Sequence, residues 1–174
     1  RGGGLAEAEQ VRPAEFIRRV AGGDGLRAEG DPGAVAFPRA LRDRPYDFSF
    51  SGLKTSVVTY LEKAKAAGDV PALADVAASI QEAIVDVLVD KTFNAVDATG
   101  AQVVAGGGGV LANRRLRRRF EEEAASRGVQ LYLPTPALCT DNGAMIGAAA
   151  TYRFERGEYS PWNADVEPGL RLGR

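Results

Sequence analysis

Gln102-Val103-Val104-Ala105-Gly106-Gly107-Gly108-Gly109-Val110-Leu111-Ala112-Asn113-Arg114-Arg115-Leu116 reads as a short apolar strand, a run of four glycines and the opening of a helix. That helix is expected from Asn113 to about Arg127, buried through Leu116, Phe120 and Ala124, with Gly128 just past its end. Val129 to Leu133 follows as a second strand, and Asp141 to about Arg156 as a further helix ended by Gly157. Strands alternating with helices predict a parallel sheet covered by helices, with ligands at the carboxyl ends of the strands. Gln102 to Ala105 and Val129 to Leu133 are therefore expected to be adjacent and parallel, with Asn113 and Asp141 at one common cleft.

Upstream, Pro71 starts a long helix over roughly Ala72 to Ala98. Leu73, Val76, Ala77, Ile80, Ile84, Val87 and Leu88 recur there at helical spacing. A shorter helix is expected from about Leu53 to Ala66, and Tyr46 to Phe50 alternates bulky and polar side chains in strand fashion. Val11 to Val20 has the pattern of an amphipathic helical turn or two, broken by Gly22-Gly23 and Gly25.

Four features carry candidate chemistry. Glycines at Gly106 to Gly109 let backbone N–H groups face an anion, and the helix N-terminus behind them adds favourable partial charge. The run lacks the Lys-Ser/Thr ending of a Walker loop, and a tight turn also needs glycine. Asn113 suits either a nucleobase or ribose edge, because an amide donates and accepts at once, or a helix cap. In Leu138-Cys139-Thr140-Asp141-Asn142-Gly143-Ala144-Met145, a short carboxylate stands at the mouth of a helix of small residues; Asp141 reads as a cap or as a ligand. Arg114, Arg115, Arg117, Arg118 and Arg119 spread around the exposed sides of one helix, with Glu121 to Glu123 at pairing distance. A solvated face and a contact to nucleic-acid phosphates are both open there.

Composition narrows the classes. The chain has 174 residues, 45% of them apolar, enough for one core with an appendage. Its 22 basic and 23 acidic residues give no global field toward nucleic acid. A single cysteine excludes an internal disulfide framework, no apolar run approaches the roughly 20 residues that span a bilayer, and no signal-peptide pattern opens the sequence; a cytoplasmic protein without membrane contact is expected. Histidine is absent, which excludes Ser-His-Asp, Cys-His and HExxH chemistry. The sequence does not start with methionine, and it is expected to be a piece of something longer.

Tyr46-Asp47-Phe48-Ser49-Phe50-Ser51-Gly52-Leu53-Lys54-Thr55, Gly108-Gly109-Val110-Leu111-Ala112-Asn113-Arg114-Arg115-Leu116-Arg117 and Leu138-Cys139-Thr140-Asp141-Asn142-Gly143-Ala144-Met145-Ile146 together closely resemble the tRNA N6-adenosine threonylcarbamoyltransferases, the TsaD group. The resemblance runs from about Gly30 to the C-terminus and corresponds to the C-terminal half of a member; residues 1–30 stand unassigned or divergent, and 31–174 as the C-terminal part of the transferase domain. It implies an α/β fold, the C-terminal lobe of an actin/Hsp70-like (ASKHA, RNase H-like) architecture with a helical insertion.

The resemblance also implies an activity: transfer of a threonylcarbamoyl group from threonylcarbamoyl-adenylate to N6 of the adenosine beside the tRNA anticodon. By the same resemblance Asn113 contacts the adenylate, Gly108 and Gly109 wall the nucleotide, and Asp141 ligates one divalent metal, described as iron. The implied partners are tRNA and the other subunits of the transferase complex. Such a metal also needs two histidines, and this chain has none, so tight metal binding by the chain alone is not expected. The family's Ser-Gly-Gly-His segment is missing too. The alternative is a non-catalytic lobe that binds nucleotide or a partner protein; a sugar or acetate kinase lobe is disfavoured by the Cys139 to Met145 motif.

Overall fold

Residues Ser51–Ala66 form helix α1 and Leu73–Thr99 form α2, whose 27 residues extend about 40 Å at 1.5 Å per residue. That length lets α2 serve two apolar clusters in turn. Its first half packs Val76, Ala77, Ile80 and Ala83 against Leu53 and Val57 of α1 and against Phe37. Its second half places Val85, Val89, Phe93 and Val96 against Leu116, Phe120 and Ala124. Those three residues belong to α3, Arg114–Arg127, and are the ones whose helical spacing marked them as its buried side.

Between α2 and α3 lies β1, Val103–Ala105, and after α3 lies β2, Gln130–Tyr132. They pair in parallel, Val103 with Gln130 and Ala105 with Tyr132, as the alternation of strand and helix predicts. The crossover between them is α3, closed by the Gly128 N–H, which donates to Ala124 and Ala125 carbonyls. Leu111 and Cys139 complete the second cluster from the loops beyond the strand ends.

The computed structural model describes residues 30–69, 71–166 and 168–169; the segments at Val11–Val20 and Gly22-Gly23 lie outside them. The chain divides into two units, residues 1–140 and 141–174. The second contains helix α4, Gly143–Glu155. Taken by itself, that unit buries no side chain of α4. Its own tertiary contacts include Phe154 edge-on to Tyr159 and an ion-pair cluster of Arg153 and Arg156 on Glu158.

Two expectations are corrected. Tyr46 to Phe50 is not a strand: the segment runs through turns into α1, which starts at Ser51, two residues earlier than expected. Instead of a neighbouring strand, a lysine holds the approach to it. Lys91 on α2 is 6% exposed and donates to the carbonyls of Leu41 (2.9 Å) and Arg44 (2.6 Å), with its ammonium 5.8 Å from the Phe48 ring centroid. The buried charge is thus matched by two acceptors and a π face. The second correction concerns α4. Its cap is Asn142, whose side chain accepts from Met145 N at 3.0 Å; Asp141 precedes the cap and is exposed.

No described helix is long and apolar enough to cross a membrane.

Candidate nucleotide site at the head of helix α3

The glycine run divides by physical cause. Gly106 N–H extends the ladder to Tyr132 O at 3.0 Å, and a Cβ there would meet Leu111 Cδ1 at 2.6 Å and Leu133 Cδ2 at 3.0 Å. Close packing requires glycine at that position. Gly108 takes φ +97°, a backbone conformation that a side chain strains. Gly107 and Gly109 have ordinary φ and open space, with only Thr140 Cγ2 at 3.8 Å from a Cβ at Gly109. Neither packing nor backbone conformation accounts for glycine at those two, which form a rim without side chains.

A 3-10 turn, Gly109–Ala112, buries Leu111 and delivers the chain to Asn113. Asn113 is 4% exposed and caps α3: its Oδ1 accepts from Arg115 N (2.9 Å) and Leu116 N (3.1 Å), satisfying two of the helix's orphan donors. Its Nδ2 donates to Gln81 Oε1 on α2 at 2.9 Å. Gln81 and Asn113 share a small surface recess with Ile84, Val85, Val110 and Leu116. Both readings of Asn113 thus meet in one residue: it is the cap, and it lines the recess next to the glycine rim.

The arginine cluster is not a solvated face. Arg115 makes a two-toothed contact with Glu82 (2.8 and 2.7 Å), Arg119 bridges Glu82 (3.2 Å) and Asp86 (3.3 Å), and Arg39 closes on Asp86 at 2.8 Å. The Arg115 hydrogen bond, more than the charges of Arg119 and Arg39, holds the Glu82 carboxyl below its ordinary range against partial burial. Arg117 donates to the carbonyls of Leu111 (3.2 Å) and Pro134 (2.9 Å), tying the turn after the glycines to the end of β2. Only Arg114 and Arg118 face solvent, and Arg118 lies 3.7 Å from Glu122. Three of the five arginines therefore brace α3 and its flanking loops.

Gly108, Gly109 and Asn113 come together in the first unit. Asp141 heads the second unit, an exposed carboxylate one residue before the Asn142 cap. Among the described residues no group of three or more His, Cys, Asp or Glu side chains is arranged to hold a metal ion. The described residues by themselves thus supply too few ligands for a resident metal site, which recruits three or four protein ligands. Cys139 is buried and packs in the second cluster. Sequence reasoning missed Gln81 and Glu82. The available signal is a polar pair set between Ile80 and Ala83, two residues of the first apolar cluster on α2.

Comparison with known proteins gives one consistent result. A family model described as tRNA N6-adenosine threonylcarbamoyltransferase matches residues 8–148, so the match takes in much of the N-terminal segment that the motifs left unassigned. The chain is 50% identical over 145 residues to the protein of that name from Desulfitobacterium hafniense, covering 83% of this chain and 42% of that one. It is 49% identical over 146 residues to that of Geotalea uraniireducens (83% and 43%), and 51% identical over 148 residues to that of Magnetococcus marinus (84% and 42%). The chain spans less than half the length of these relatives.

Proposed function

This chain belongs to the tRNA N6-adenosine threonylcarbamoyltransferase family, and from that premise we propose that it forms the C-terminal lobe of an actin/Hsp70-like transferase and supplies its nucleotide-side contacts. The reaction is attack of the N6 amine of a tRNA adenosine, the one beside the anticodon, on the carbamoyl carbon of threonylcarbamoyl-adenylate. A C–N bond forms, the bond from that carbon to the phosphate oxygen breaks, AMP leaves, and the amine loses a proton. The acyl group is already activated, so the protein's task is chiefly to hold the two reactants in register.

In this reading Gly108 and Gly109 wall the adenylate and Asn113 meets it from the recess. Asp141 would be a contribution to a metal centre that the described residues do not close by themselves. The other subunits of the modification complex and a cytoplasmic setting belong to the same proposal. The observation that carries the reading is the strand, glycine rim and buried Asn113 at the carboxyl end of β1, standing on one of the three family motifs. A second reading, a non-catalytic lobe that binds nucleotide or a partner, draws on the absence of histidine and of a metal cluster among the described residues.

The test mixes the chain with tRNA and threonylcarbamoyl-adenylate and measures the modified nucleoside by mass spectrometry. The chain alone is expected to yield none. Adding the N-terminal half of the Desulfitobacterium hafniense relative should produce it, in a manner lost in Asp141→Ala. Product from the chain alone, abolished by Asp141→Ala, would make this a complete enzyme; no product in the mixture would favour the non-catalytic lobe.

A further inference from the structure

We propose that Gln81 is a positioning residue that holds the Asn113 amide nitrogen, whose orientation the helix cap sets, aimed into the recess, so that Asn113 meets a bound nucleotide only as a hydrogen-bond donor. The proposal deepens, and rests on, the reading of Asn113 as a nucleotide contact.

A side-chain amide offers one oxygen with two lone pairs and one nitrogen with two hydrogens. At the head of α3 two backbone donors, Arg115 N and Leu116 N, meet the same atom of Asn113 at 2.9 and 3.1 Å. Only an oxygen can accept both; a flipped amide would set its NH2 against two N–H groups. The helix itself therefore fixes which atom is Oδ1, and both of its lone pairs are used. The nitrogen must then face Gln81, and Gln81 must answer with its oxygen, which it does at 2.9 Å. One hydrogen of Nδ2 is taken and one is left.

The consequence is chemical. Ile84, Val85, Val110 and Leu116 offer the recess no polar side-chain atom, so recognition falls to the amides. Asn113 can pair with an acceptor such as a purine ring nitrogen or a ribose oxygen. It cannot receive a hydrogen bond from an exocyclic amine, which would leave donor facing donor. Gln81 touches no ligand in this scheme; it keeps the donor aimed while the helix holds the oxygen.

The experiment uses the 15N-labelled chain, its Gln81→Leu, Gln81→Glu and Asn113→Asp variants, and AMP as the probe. In the parent, the Asn113 side-chain amide proton that faces Gln81 should exchange slowly with solvent and resonate downfield of a solvated amide proton. Gln81→Leu should abolish that protection and downfield shift while the Arg115 and Leu116 backbone amides stay protected; Gln81→Glu, which still accepts, should restore both. Unchanged Asn113 side-chain signals in Gln81→Leu would overturn the positioning role. Asn113→Asp keeps both capping acceptors but has no N–H, so the Arg115 and Leu116 backbone amides should stay protected while AMP affinity falls about tenfold, the worth of one hydrogen bond. Undiminished AMP affinity in that variant would overturn the donor assignment. Absence of any AMP-induced shift at Asn113 in the parent would instead defeat the nucleotide-site reading, with the Gln81 comparison still deciding the orientation.

Discussion

Helices α3 and α4 begin in the same way and are supported differently. Each follows a loop, opens with an asparagine that accepts a hydrogen bond from a backbone N–H in its first turn, and presents apolar residues. Asn113 is buried, accepts two N–H groups and is held from α2 by Gln81. Behind it Leu116, Phe120 and Ala124 enter a core, while Arg115 and Arg119 anchor the flank to Glu82 and Asp86. Asn142 caps α4 at Met145, and within its own unit that helix buries nothing. A cap starts a helix; only a packed face and cross-helix pairs make it a fixed platform for a ligand. The comparison explains why the proposed nucleotide site is built around α3.

The largest expected effect lies in the core under α3. Phe93 is 1% exposed, lies 5.9 Å from the Phe120 ring, and carries the Arg127 guanidinium over its face at 4.9 Å. Phe93→Ala should cost about 3–5 kcal/mol in urea unfolding monitored on the first unit. A loss under about 1 kcal/mol would mean that α3 does not depend on this cluster. Next comes the cap itself. Asn113→Ala removes two capping bonds and leaves Gln81 Oε1 without its donor, so a loss of about 2 kcal/mol is expected by the same measurement.

These differences bear on what the sequence could disclose. The β1–loop–α3–β2 unit was legible because its signals are local: apolar residues at helical spacing, a glycine after Arg127, two strands joined by one crossover. Gln81 with Asn113 and Glu82 with Arg115 were not, since each pair is separated by more than thirty residues. A charged helix face looks the same in sequence whether water, nucleic acid or another helix stands opposite, which is why the bracing role of Arg115, Arg117 and Arg119 was not legible. Tyr46 to Phe50 shows the converse: alternation proposes a strand, but without a second strand the backbone has nothing to pair with, and Lys91 fastens its approach instead. At α4 the choice between Asp141 and Asn142 as cap is a shift of one residue, within the usual uncertainty of helix ends.

Acid sharpens the contrast on the α3 side. The Glu82 carboxyl is held below its ordinary value of 4.5, chiefly by the Arg115 hydrogen bond. A depressed carboxylate contributes stability that is fully present above the unfolded value and is lost as pH falls through the folded one. Glu82→Gln should therefore be about 1 kcal/mol less stable than the parent near neutrality. The gap should narrow as pH falls below 4.5, whereas the Asn113→Ala deficit should persist there. A gap that stays constant down to pH 3 would show that the ion pairs of Glu82 do not stabilise α3.

The smallest effect is expected at the other cap. Asn142→Ala removes an acceptor for Met145 N at a helix whose side chains are not buried within its unit. Losses at exposed caps fall at the lower end of the range, about 0.5 kcal/mol, because water can replace the missing oxygen at the freed N–H. Asn113→Ala has less relief, since the residue is 4% exposed and Gln81 loses its donor as well. Hydrogen exchange separates the two. In Asn142→Ala the first-turn amides of α4 should exchange faster while those of Leu116 and Phe120 are unchanged. A loss at Asn142 equal to that at Asn113 would show that capping alone sets helix stability here, and that the braces from Gln81, Glu82 and Asp86 add nothing to it.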